Sequence, residues 1–271
     1  MIVNMELKIG ASIVFFITAV SLLSIIWVPR DYNNMDASIR LSPPGKGSLL
    51  GTDNFGRDVL SRIMAGGRVS LFLALCTVTG AALIGCLLGL MAGYLGGIVN
   101  EIIMRIIDTI SSFPGIAVAL LMIAVMDNSQ FSLLAALLIL FIPSYTRIIR
   151  TGAMRYKDAT FIQAEKILGA GFFRITFIHI LPNLAPSLLS ASVIGLSNAI
   201  LAESTMSYLG LGIQPPNPSW GRMLFESQSW FFNAPWCALA PGFSIMLTVV
   251  SFHLLGEGLR VYYGGQNDSS S

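Results

Sequence analysis

Along this chain, charged residues withdraw into short stretches and leave six long uncharged runs, at 9–28, 69–100, 109–125, 128–146, 175–202 and 227–255. About 18 or more apolar residues suffice to cross a hydrocarbon core of roughly 30 Å as a helix, so each run predicts one crossing. The third is the shortest. Starting it near Arg105 lengthens it and carries Asp108 into the membrane, where Arg105, at i, i+3, is available as a partner. The predicted fold class is all-α integral membrane, with six transmembrane helices.

Composition agrees with this pattern. The 271 residues are 54% hydrophobic and 11% charged, with a mean hydropathy of +0.74, whereas soluble chains carry roughly 25% charged residues. A water-facing surface cannot be built from that supply. The first run follows Lys8 and lies near the N-terminus, but it is too long for a secretory signal and no small-x-small cleavage site follows; it reads as a retained helix. A net charge of +2 with scattered basic residues gives no reason to expect nucleic acid. Cys76, Cys86 and Cys237 lie in apolar runs without metal or redox spacing and read as small buried hydrophobes.

Six crossings put both termini on one side, and the positive-inside rule chooses it. With the N-terminus inside, Lys8, Arg105, Arg147, Arg150, Arg155, Lys157, Lys166, Arg174 and Arg260 are internal. Arg30, Arg40, Lys46, Arg57, Arg62, Arg68 and Arg222 are then external. The balance favours cytoplasmic termini, an external loop over about 29–68 and a cytoplasmic loop over about 150–182. No repeat or low-complexity linker divides residues 1–271, which read as one transmembrane domain, and 266–271 has the composition of a disordered tail. Gly80, Gly85, Gly89 and Gly93 allow close helix approach, either within a bundle or at a subunit contact.

No phosphate-cradling Gly-x-x-x-x-Gly-Lys-Ser/Thr segment occurs, so transport driven by ATP requires another polypeptide. The cytoplasmic loop is suited to receive one. Asp158 or Thr160 can cap a short helix over 161–168, Gly169 can end it, and an apolar face formed by Phe161, Ala164 and Leu168 needs a groove to fill. Pro182 and Pro186 mark the turn into the fifth crossing.

Gln163-Ala164-Glu165, Gly169 and Leu181-Pro182 fall at the spacing of the coupling-loop signature of ABC import permeases. Gln163 stands where that signature has Glu, and Glu165 where it has a second Ala. The block Gly51-Thr52-Asp53-Asn54-Phe55-Gly56-Arg57-Asp58, continuing through Arg62 to Gly67-Arg68-Val69-Ser70-Leu71, resembles the external-loop signature of the dipeptide, oligopeptide and nickel branch. Leu209-Gly210-Leu211-Gly212-Ile213-Gln214-Pro215-Pro216-Asn217-Pro218-Ser219-Trp220-Gly221 resembles a second signature of the same branch. With Phe113-Pro114 and Pro235-Trp236, the resemblance covers about 48–260. It implies a type I ABC importer permease fold with a cytoplasmic coupling helix, and the C-type subunit of a pair. The implied partners are a second, B-type permease, two ATPase subunits that bind ATP and Mg, and an extracytoplasmic solute-binding protein. This chain is then non-catalytic and holds no cofactor or metal. Di- and oligopeptides are the expected solutes, with nickel or another metal chelate as the alternative.

Several residues admit two readings. The external block can cap a helix at Thr52 or Asp53, turn at Gly56 and shape the external mouth; or its charges Arg57, Asp58 and Arg62 order an amphipathic helix on the membrane surface. Residues 210–221 predict an irregular turn with Trp220 as an interfacial anchor. A carboxylate in a membrane helix must face protein or water, so Glu203 either meets a cationic solute along the translocation path or makes a structural hydrogen bond. His179 and His253 lack the neighbours of a metal site, and His179 reads as structural. An ion-gradient carrier is the rival class, resting on Glu203 and Asp108 alone.

Overall fold

The computed structural model describes residues 2–45, 47–126 and 129–268, without the side chains of 2–4 and 264–268. Helices dominate: α1 (Ile2–Leu23), α2 (Val59–Leu95), α3 (Gly97–Ser112), α4 (Gly115–Met126), α5 (Gln130–Lys157), α6 (Thr160–Ile167), α7 (Leu181–Tyr208), α8 (Trp220–Ser227) and α9 (Trp236–Asp268), with a π-helical segment at Arg174–Ile180. Five spans are long and apolar enough to cross a bilayer, and the α3–α4 pair, bent by 93°, makes a sixth if counted as one.

The third predicted crossing is thus two helices meeting at a sharp bend, a broken span or a re-entrant loop, and not one straight helix. Phe113 takes an extended backbone (φ −83°, ψ 135°), because the ring of Pro114 disfavours the helical region for the residue before it. The second helix begins at Val59, ahead of the predicted run, so the external loop ends at Asp58 and not near 68. Asp58 caps it, accepting a hydrogen bond from the Ser61 backbone N–H at 2.8 Å; Thr52 and Asp53 do not cap a helix. The fourth span likewise runs on to Lys157, which leaves little of the predicted cytoplasmic loop outside helices. Pro182 and Pro186 do not break the chain either. A proline ring clashes with the carbonyl four residues back, and for Pro182 that carbonyl belongs to Ile178, inside the π-helical segment with its wider spacing. The backbone of 266–268 is helical within α9 where a disordered tail was expected, and 269–271 lie outside the described residues.

The α2–α5 contact is the most extensive in the bundle; α9 packs on α1 and α7. The α2 glycines explain that contact. A Cβ on Gly89 would stand 2.7 Å from the Thr146 carbonyl and 2.8 Å from the Ile149 Cβ, and one on Gly93 would stand 2.7 Å from the Ala153 Cβ. The row of small residues is therefore used inside this subunit. Cys86 and Cys237 are buried and Cys76 half-buried, while large side chains such as Phe15, Phe72 and Phe243 remain exposed on the outside of the bundle.

Candidate functional site

The helix α6 has Ala159 at its N-cap with no side-chain capping bond, whereas Asp158 ends α5; the expected cap by Asp158 or Thr160 does not form. Its C-terminus follows the sequence closely. Gly169 takes φ +81°, its N–H reaches the Lys166 carbonyl at 3.0 Å and the Ala170 N–H reaches the Glu165 carbonyl at 3.0 Å. This is the paired bonding of a Schellman end, which needs a left-handed residue after the cap. Ile162 is wholly buried among Leu90, Ile149, Ile175, Ile180 and Leu184. Gln163 and Ala164 are exposed, and Ile167 and Leu168 present 87% and 80% of their surface to the outside. Glu165 turns the other way: its Oε2 lies 3.6 Å from Arg174 Nε and 3.6 Å from His179 Nε2. Leu181 and Pro182 open α7.

At the opposite end of α2, the block from Gly51 to Arg62 lies in a strap over residues 36–45 and 47–58 and in the first turn of the helix. Its conformation is set by two positive-φ glycines, Gly51 and Gly56, both at +76°; a Cβ on Gly51 would strike the Trp236 indole at 2.6 Å. Thr52 is buried and its carbonyl accepts from Trp236 Nε1 at 3.2 Å and Cys237 Sγ at 3.4 Å. Beneath the strap lies an ion cluster. Asp53 Oδ2 is 2.6 Å from both Arg57 Nε and Arg62 Nη1, while Glu226 Oε2 is 2.7 Å from Arg57 Nη2 and 3.0 Å from Arg62 Nη2. Arg222 Nε joins Glu226 Oε1 at 3.1 Å. Arg57 and Arg62 are each only 3% exposed, so the block is no amphipathic surface helix; its charges are interior and mutually neutralising. Trp220 is also inside, at 2% exposure, with its indole N–H donating to the Ile63 carbonyl at 3.0 Å. The anchor expected at the membrane interface is instead a plug between α8 and α2.

Glu203 is fully enclosed. Ser207 Oγ donates to Oε1 at 2.8 Å, and Ser70 and Ser204 reach Oε2 at 3.1 and 3.4 Å. Ser70 also accepts the Trp220 backbone N–H at 3.3 Å. No surface of Glu203 is open to a solute, and the serine cradle matches the structural reading of this carboxylate, not the path reading. Asp108 pairs with Arg147 at 2.8 Å, not with Arg105, which bonds Glu101 at 2.6 Å. The strap and the α6 region lie at opposite ends of α2.

Sequence reasoning missed Glu226, and it placed Ser70 in a signature without its bond to Glu203. The local signal for Glu226 was the Arg222–Glu226 spacing at i, i+4 beside an apolar run; its link to Arg57 spans 169 positions and has no local signature. Among the described residues no group of three or more His, Cys, Asp or Glu is placed to hold a metal ion.

Comparison with known proteins bears on both ends of the bundle. Residues 85–260 match the family described as binding-protein-dependent transport system inner membrane component. The dipeptide transport system permease protein DppC of Alkalihalophilus pseudofirmus is 39% identical, across 93% of this chain and 83% of that protein. The glutathione transport system permease protein GsiD of Pectobacterium atrosepticum is 38% identical, across 91% and 82%. The probable D,D-dipeptide transport system permease protein DdpC of Escherichia coli is 33% identical, across 96% and 88%. A chain of the MetNI methionine ABC transporter in an inward-facing conformation has the same fold, with a TM-score of 0.58 at 18% identity, covering 71% of this chain and 92% of that one.

Proposed function

The chain belongs to the family of inner membrane components of binding-protein-dependent transport systems, and on that premise we propose that it pairs with a B-type permease to form the path by which an ATP-driven importer takes up di- and oligopeptides. The observation that carries the reading is α6. An eight-residue helix is marginal on its own, yet this one buries only Ile162 and offers Gln163, Ala164, Ile167 and Leu168 outward. That face fits a cleft on a cytoplasmic ATPase, with two such subunits carrying ATP and Mg. Both termini then face the cytoplasm, and the strap faces an extracytoplasmic solute-binding protein.

On this reading, closure of the ATPases swings α6, and the paired permeases rock between inward- and outward-facing states as rigid bodies. The chain itself performs no covalent chemistry. Peptides rank ahead of nickel or another metal chelate because the relatives are named for dipeptides and glutathione.

The test is expression of the chain with its adjacent permease, ATPases and binding protein, purification, and reconstitution into vesicles. ATPase subunits should co-purify, and labelled dialanine should accumulate only with ATP, uncompeted by a nickel chelate. Uptake by the chain alone, driven by an ion gradient, would overturn the proposal.

A further inference from the structure

In the coupling-loop signature the acidic residue stands at the position held here by Gln163, which makes Glu165, two positions on, the nearest carboxylate to offer a partner. Its geometry argues otherwise. Glu165 Oε2 is buried and faces two cationic or proton-bearing groups, Arg174 Nε and His179 Nε2, at 3.6 Å each. Neither Glu165 Oε2 nor His179 Nε2 has another hydrogen-bond partner. Both facing residues belong to the π-helical segment Arg174–Ile180, which runs without a break into α7.

The attachment of α6 explains what such a contact can do. The chain leaves α6 through Gly169 and Gly171, where an added Cβ would meet nothing within 4 Å, and between them only Ala170 packs against the Ile162 cluster. Ile162 pins the helix in the apolar cluster, and Phe161 and Lys166 meet the rings of Tyr156 on α5 and Tyr94 on α2. Lys166 adds a bond to the Lys157 carbonyl at 3.2 Å, which ties α6 to the end of α5. Glu165 lies three positions after Ile162, on the same side of the helix, and supplies the side-chain charge contact to the segment that opens the fifth span.

We propose that Glu165 is a positioning residue which, through Arg174 and His179, fixes α6 to the start of α7 and so passes movement of α6 into the fifth span, instead of contacting the ATPase. The inference rests on the reading of α6 as the helix a partner ATPase grips. Separations of 3.6 Å are ion-pair contacts just beyond hydrogen-bond reach; inward movement of α6 by a few tenths of an ångström would close them into charge-assisted bonds.

The experiment uses the complete reconstituted importer and compares wild type with Glu165→Ala, with the Arg174→Ala/His179→Ala pair, and with all three changes together. The readouts are ATPase subunits retained on purification and dialanine taken up per ATP hydrolysed. We expect full retention of the ATPases and at least a fivefold fall in uptake per ATP for Glu165→Ala. The triple variant should be no worse than Glu165→Ala, since residues acting through one contact are non-additive. The swap Glu165→Arg with Arg174→Glu should recover more than half of the coupling, which a merely structural role would not predict. Loss of ATPases from the Glu165→Ala complex, an unchanged uptake ratio, or additive losses would each overturn the proposal while leaving the importer reading intact. A wild-type complex that never holds ATPases would sink that reading itself.

Discussion

Removing Glu226 should lift the strap from the bundle. Its carboxylate meets three guanidinium groups, at 2.7, 3.0 and 3.1 Å, so once it is neutralised in Glu226→Gln, Arg57 and Arg62 share only Asp53 and Arg222 loses its carboxylate partner. Breaking a buried ion pair by deleting one partner costs about 3–5 kcal/mol; because the Glu226 side chain keeps 13% of its exposure, the low end of that range is appropriate. Cys237 provides a reporter, being 6% exposed and bonded through its Sγ to the Thr52 carbonyl of the strap. With Cys76 and Cys86 replaced by Ala, maleimide labelling of Cys237 measures how often the strap opens. A shift of about 3 kcal/mol in that opening, at ~1.4 kcal/mol per factor of ten, corresponds to labelling faster by about a hundredfold. Arg222→Ala, which removes only the outermost member of the cluster, should accelerate labelling far less. Equal rates in wild type and Glu226→Gln would refute the argument that the cluster holds the strap down.

Three further outcomes follow from the packing. Gly89→Leu should prevent assembly of the bundle, because overpacking costs about 1–3 kcal/mol even where side chains can adjust and here the Thr146 carbonyl is backbone; a size-exclusion profile of the tagged protein in detergent would show aggregate in place of a single peak. Gly169→Ala should cost about 1–2 kcal/mol through its left-handed φ alone, fraying α6 and lowering ATPase co-purification without changing the thermal midpoint of the bundle. Glu203→Gln should keep transport of cationic and neutral peptides in the wild-type ratio, whereas Glu203→Leu leaves Ser207 and Ser204 donors unmet at about 1–3 kcal/mol each and should lower the melting temperature of the purified complex. A selective loss of cationic peptide uptake in Glu203→Gln would instead favour a path role.

The spans were legible in the sequence because a bilayer demands uncharged length, and charge is easy to see. The same criterion misplaced the start of α2: Arg62 and Arg68 looked like loop residues, yet Arg62 lies in a membrane helix because Asp53 and Glu226 neutralise it there. The 93° break between α3 and α4 was hidden in an uncharged run, although Pro114 announced it. The end of α6 at Gly169 could be read directly, since only a left-handed residue completes that motif. The direction of Glu165 could not, because it depends on Arg174 and His179 across a turn whose π geometry has no simple sequence signal.

The glycine row on α2 has a mechanical consequence. With backbone against backbone at Gly89 and Gly93, α2 and α5 cannot slide along one another without opening voids, so the two behave as a single fused beam. The 28 residues of α5 give that beam a length of about 42 Å at 1.5 Å per residue. Any push delivered near Lys157 therefore travels as displacement of a whole lever along the contact from Gly85 to Gly93, and the place left for bending is Pro143, inside α5 beyond that contact.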